Sequence, residues 1–142
     1  MSIHESDIFK GVSQRFITKI GTNSEEEGFG INATIFKIGD SAEYLYVLMN
    51  GNVEIVAGHR EGTRYVVNSP GEVFGWSALV EPHVYIATAV CRKETRVIKI
   101  PRGLIEHTIV EHPEEGLAVF KNLVKILAKR IRFAYQSMPP ET

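Results

Sequence analysis

Apolar positions along the chain change their spacing twice, and the changes divide it into three parts. At the start, Ile8, Phe9 and Val12 form one apolar cluster. Ser13 is placed to cap a following turn carrying Phe16, Ile17 and Ile20, with Gly21 as the stop. From about Ser24 the pattern becomes short runs rich in β-branched and aromatic residues. These are Ala33–Ile38, Tyr44–Met49, Asn52–Ala57, Thr63–Asn68, Val84–Val90 and Arg96–Ile100. Between them stand Gly39-Asp40, Asn50-Gly51-Asn52, Gly58 with Gly62, and Ser69-Pro70-Gly71. Strands roughly 8–12 residues apart, broken by Gly and Asn, predict an antiparallel sandwich or jelly roll. Asn50-Gly51 is the strongest single signal, because both residues tolerate the positive φ of a tight hairpin.

After Pro101 the helical spacing returns. Leu104, Ile105, Thr108 and Ile109 predict a short helix ending near His112, and Pro113 suits the first turn of a long one. Glu114 and Glu115 complement the positive end of its dipole, and Lys125, Lys129, Arg130 and Arg132 crowd its later turns. The order of helices, strands and helices predicts an α+β fold, mainly β, with segregated layers. In the last helix, apolar residues from Val119 to Ala134 sweep roughly 180°, where packing on one sheet needs about 100°. The excess predicts a second contact surface, and parallel homodimerisation through Val119, Leu123, Ile126 and Phe133 is the expectation. Lys121, Lys125, Lys129 and Arg132 fall on the opposite face, and no acid occurs from Leu117 to Tyr135. A basic stripe can track phosphates, but it is also the ordinary solvated face of an amphipathic helix, and that is the reading taken.

Composition removes several classes. The chain has 142 residues, 44% hydrophobic and 23% charged, which are globular values. Sixteen Lys plus Arg against 17 Asp plus Glu leave a net charge of −1, which disfavours a globally basic nucleic-acid binder. No apolar run approaches the roughly 20 residues that span a bilayer, and the first residues lack the features of a signal peptide. A lone cysteine, Cys91, excludes a disulfide framework and a thiolate zinc site within the chain, and it fits the cytoplasm. In a strand it reads as a small buried hydrophobe. His107 and His112 are badly spaced for metal on one helical face, and the paired strand histidines of a metal-binding cupin are missing. With no P-loop, Rossmann fingerprint or Ser-His-Asp pattern, neither an enzyme nor a metal protein is expected.

The informative segment is Gly71-Glu72-Val73-Phe74-Gly75-Trp76-Ser77-Ala78-Leu79, followed by Tyr85-Ile86-Ala87-Thr88-Ala89. Glycines spaced this way let backbone amides converge on an anion, although β-turns use the same residues. Together with Ile35-Phe36-Lys37-Ile38-Gly39-Asp40, Leu45-Tyr46-Val47-Leu48 and Gly51-Asn52-Val53-Glu54-Ile55, this segment resembles the cyclic nucleotide-binding domain family. The likeness is to the sensory domain of catabolite-activator-type proteins, a cupin-like jelly roll. Gly71–Gly75, Ala78-Leu79 and Ala87-Thr88-Ala89 look like its phosphate-binding cassette. Ile100-Pro101-Arg102 and His112-Pro113 resemble the entries to its two C-terminal helices. The resemblance implies one domain over residues 1–142. It comprises a helical cap (1–23), an eight-stranded antiparallel jelly-roll β-barrel (24–100) and C-terminal hinge and lid helices (101–137). The implied ligand site is Phe74, Gly75, Trp76, Ser77, Ala78, Leu79, Tyr85, Ile86, Ala87 and Thr88, with Tyr135 as a lid.

The cassette departs from the family at two positions. Binding members carry Glu where this chain has Trp76, to hold the ribose hydroxyl. They carry Arg, which neutralises the cyclic phosphate, where this chain has Tyr85, or Ile86 if the loop is one residue longer. No Lys or Arg occurs from Phe74 to Cys91. Each lost charge-assisted contact is worth roughly 1.5–3 kcal/mol, so affinity should fall by about 10²–10⁴ without compensation. The reading is a stand-alone, non-enzymatic sensory or regulatory domain in which tight cyclic AMP or cyclic GMP binding is not expected. Trp76, Tyr85 and His83 either form an aromatic pocket for another small ligand or fill the vacated site. The alternatives are a cyclic nucleotide held by backbone amides around Gly75–Ala78, or a ligand-free protein-interaction module. The resemblance places a helix-turn-helix after the last helix in its DNA-binding members. Because this sequence stops at Thr142, no direct DNA binding is expected, and action through a protein partner or membership of a longer chain both stand.

Overall fold

In a computed structural model, the structure describes residue 3, residues 6–58 and residues 64–136. Gly62, Thr63 and Pro139-Pro140 lie outside the described residues. A 3-10 turn (Asp7–Phe9) precedes helix α1 (Gln14–Thr22). The Ser13 hydroxyl accepts from the Phe16 amide at 3.3 Å and caps α1, satisfying one of its free N–H groups. Ile8, Phe9, Phe16, Ile17 and Ile20 are all buried.

Eight strands follow: β1 (Glu25–Phe29), β2 (Thr34–Phe36), β3 (Tyr44–Asn50), β4 (Val53–Val56), β5 (Arg64–Val67), β6 (Val73–Phe74), β7 (Thr88–Cys91) and β8 (Thr95–Pro101). They form two antiparallel four-stranded sheets, ordered β1-β8-β3-β6 and β2-β7-β4-β5. This is the mainly β jelly roll with flanking helices that the run spacing predicts. The central strand β3 is buried from Leu45 to Leu48, as a strand covered on both faces should be.

Three details differ from the sequence reading. Asn50-Gly51 does not close a tight hairpin, because β3 and β4 lie in different sheets; the turn carries the chain across the sandwich. Gly51 has φ 124°, and a Cβ there would lie 2.7 Å from the Thr95 Cα, so only glycine fits this corner. Strand β1 comes from an acidic stretch that shows no apolar alternation. It is a charged edge strand, held by Glu26–Arg96 (3.4 Å) and Glu27–Lys99 (3.8 Å) pairs across to β8. The run Val84–Val90 is strand only from Thr88; before it, Val84 makes one isolated bridge to Ser41.

Between β6 and β7 the chain makes a short 3-10 turn, Trp76–Leu79. After β8 come α2 (Arg102–Glu111) and α3 (Pro113–Gln136). The close approach of the last two helices depends on Gly116, where a Cβ would lie 3.2 Å from both Cβ and Cγ1 of Ile109. Val119 and Leu123 join the same core as the barrel residues and the N-terminal helix.

Candidate functional site

The turn that begins at Gly75 sets the geometry of the cassette. Gly75 is left-handed (φ 76°), and a Cβ on it would sit 3.1 Å from the Tyr46 ring and 3.3 Å from the Tyr44 carbonyl. Both the backbone angle and the space therefore demand glycine. The preceding turn is locked by Glu72, whose carboxylate accepts from the amides of Asn68 (3.0 Å) and Ser69 (2.9 Å) and from the Tyr65 hydroxyl (3.1 Å).

Phe74, Gly75, Trp76, Ser77, Tyr85, Ile86 and Ala87 line one cavity with Phe36, Ile55 and Arg130. Its volume is only about 30 Å³. Ala78 and Leu79 instead pack into the core, and Thr88 uses its hydroxyl to accept the Ile38 amide at 3.0 Å. Of the two residues considered for the position of the family's arginine, Tyr85 is the one that turns inward; Ile86 is exposed. The Tyr85 ring stacks on Phe36 with centroids 3.8 Å apart and planes 11° from parallel. Phe36, Tyr46 and Phe74 extend the stack at 5.2–6.2 Å. The Tyr85 hydroxyl donates to the Tyr44 carbonyl at 2.6 Å. Burial, only partly offset by the Tyr44 amide donating to the phenol oxygen at 3.4 Å, pushes the Tyr85 phenol up to about 12. Burial likewise raises Tyr46 far above the ordinary phenol range, with the neighbouring Tyr85 contributing.

Two other expected contributors stand elsewhere. His83 turns toward α2, 3.7 Å from Glu106, and does not line the cavity. Tyr135 is 68% exposed beside Ile131 and Arg132 on the outer surface of α3 and is not among the residues that line the cavity. Arg130, one turn earlier, is the α3 residue that reaches the cavity, and among the described residues it is the only Lys or Arg lining it. Its guanidinium donates to the Val73 carbonyl and lies 4.7 Å from the Tyr65 ring centroid. In sequence it is one cation among several in the later turns. Its role depends on where α3 docks, which spacing alone does not specify.

The dimer-face assignment needs a similar correction. Val119 and Leu123 are buried in their own chain, Ile126 packs against the same core, and Phe133 meets the Tyr65 ring edge-on at 5.5 Å. The first three look inward, whereas Phe133 keeps 42% of its surface exposed. The second apolar face is real, but it consists of Leu117, Phe120, Val124 and Ile131, each 37–65% exposed. Burial also raises the Cys91 thiol, which marks it as an unreactive core residue. Among the described residues no group of His, Cys, Asp and Glu is arranged to hold a metal, and no helix is long and apolar enough to cross a membrane.

Residues 27–112 match the family model described as cyclic nucleotide-binding domain. A cyclic AMP-activated global transcriptional regulator of Mycobacterium tuberculosis is 24% identical over 127 residues, 88% of this chain and 55% of that protein. The chain therefore spans little more than half the length of that relative. The crystal structure of Thermus thermophilus catabolite activator protein superimposes with a TM-score of 0.72 at 26% identity, covering 92% of this chain and 61% of that one. A cyclic nucleotide-binding domain from Methylobacillus flagellatus gives a TM-score of 0.82 over 99% of this chain and 84% of the other, with 17% identity, a likeness of fold.

Proposed function

The chain belongs to the cyclic nucleotide-binding domain family, and from that premise we propose that it is a non-enzymatic regulatory domain whose cassette no longer holds a cyclic phosphate tightly. The observation that carries this reading is Tyr85: it lies inside the pocket, stacked on Phe36 and bonded to the Tyr44 carbonyl. Binding pockets run to about 300–1,000 Å³, whereas about 30 Å³ is left here. Trp76 lines the same space in place of a carboxylate that would hold ribose.

Regulation then passes through α3 by population shift, one docked position of the helix favoured over another. The exposed face of Leu117, Phe120, Val124 and Ile131 follows a 3-4-7 spacing, which suits a parallel homodimer along α3. A protein partner receives the signal in the reducing environment that a single thiol suits. The alternative, a cyclic nucleotide held by cassette amides and non-standard contacts, draws support from Arg130, the cation at the cavity wall. Calorimetric titration with cyclic AMP and cyclic GMP to millimolar ligand separates the two. The expected result is no saturable heat; saturable binding below about 10 μM, equivalent to roughly −7 kcal/mol, would overturn the proposal.

A further inference from the structure

A second, larger concavity lies beside the cassette, where the first 3-10 turn, the turn before β6 and α3 come together. It measures about 670 Å³, within the range of small-molecule sites. Lys10 comes to it from the N-terminal segment, and Lys125, Lys129 and Arg130 come from α3. Asn122 ties the two segments, its amide donating to the carbonyls of Ile8 (2.9 Å) and Lys10 (2.8 Å). Four cations face two acids, Asp7 and Glu72, a local excess of two. Glu72 is already committed to the turn amides and the Tyr65 hydroxyl. In a chain of net charge −1 this concentration of cations is not a reflection of overall composition.

Two buried polar atoms at this cleft, Asp7 Oδ1 and Arg130 Nε, have no hydrogen-bond partner among the described residues. Buried donors and acceptors are nearly always satisfied, so a free acceptor and a free donor sharing a basic cleft ask for a ligand carrying both a hydroxyl and an anion. We propose that this cleft is a second ligand site, separate from the cassette, for a small hydroxylated phosphate ester such as a sugar phosphate. Lys10, Lys125 and Lys129 hold the phosphate, and Asp7 accepts from a hydroxyl. Because Arg130 also lines the cassette cavity, occupancy here bears directly on how α3 docks.

The test is an NMR titration of the full chain with ribose 5-phosphate, inorganic phosphate, and sodium chloride at matched ionic strength. Saturable shifts are expected at the amides of Lys10, Asn122, Lys125 and Lys129, with ribose 5-phosphate binding more tightly than inorganic phosphate. The Lys125→Glu/Lys129→Glu pair should weaken ribose 5-phosphate at least tenfold, since charge-assisted bonds are lost. Lys125→Arg/Lys129→Arg should retain binding, and both variants are checked for native melting. Shifts reproduced by chloride, shifts centred on Gly75–Ala78, or affinity indifferent to the charge reversal would each overturn the site. None of these results depends on cyclic nucleotide binding at the cassette.

Discussion

Replacing Tyr85 by phenylalanine deletes one oxygen and keeps the ring stacked on Phe36. The oxygen donates to the Tyr44 carbonyl at 2.6 Å. Tyr44 pairs across the ladder with Pro101, which has no N–H to offer in exchange. The carbonyl is thus left without its donor in a site where Tyr85 is only 4% exposed, a loss worth about 1–3 kcal/mol. For a chain of this size each kcal/mol lowers the melting temperature by roughly 3–4 °C, so a drop of roughly 3–12 °C is expected. Tyr85→Ala removes the ring as well, and truncating a buried aromatic costs about 3–5 kcal/mol, with a correspondingly larger drop. Melting followed by far-UV circular dichroism at pH 7 ranks the three proteins. Absorbance at 295 nm adds an independent check, because the Tyr85 phenol, at about 12, should remain protonated in the folded protein at pH 11. Equal melting of Tyr85→Phe and the parent to within about a degree would show that the hydroxyl does not hold the pocket shut.

Charging the outer face of α3 gives a second expectation: Val124, 65% exposed, when changed to Glu should convert a dimer to monomer in sedimentation equilibrium while leaving the monomer's melting nearly unchanged. A parent protein that is already monomeric at tens of micromolar refutes the helix interface. Asp7 offers a pH test, since burial, against the pull of Arg130, raises its carboxyl above the ordinary 3.8. Between the unfolded and the raised folded value the native state keeps a proton that the unfolded chain releases, so ionisation of Asp7 removes stability as pH rises. Asp7→Asn should therefore be more stable than the parent to urea at pH 7, with the gap closing below pH 4. Lower stability of the variant at pH 7 would mean that the attraction to Arg130 dominates after all.

Much of the barrel is legible from local rules because local rules position it. The Ser13 cap, the Pro113 start of α3 and the β-branched runs of β3, β4 and β8 each express a preference that survives folding. Strand β1 is not legible, since Glu25–Glu27 carry no apolar alternation and become a strand through the backbone ladder that β8 offers, with Arg96 and Lys99 of β8 within reach of Glu26 and Glu27. The sheet switch at Asn50-Gly51 is hidden for a related reason. A positive φ looks the same locally whether the next strand returns along its neighbour or crosses to the other sheet.

The cassette divides along the same line. Its family, its glycines and the absence of a cation between Phe74 and Cys91 are properties of residue order, and the chain alone determines them. Whether Tyr85 or Ile86 turns inward depends on how the loop is held, and a one-residue choice sends the side chain to opposite faces. The arc of apolar residues on α3 likewise predicts two contact surfaces without saying which is which. Docking on the core buries Val119 and Leu123, turns Leu117 and Val124 outward, and brings Arg130 rather than Tyr135 to the pocket. Periodicity determines a helix's faces relative to one another; only packing against a particular neighbour determines which way they turn.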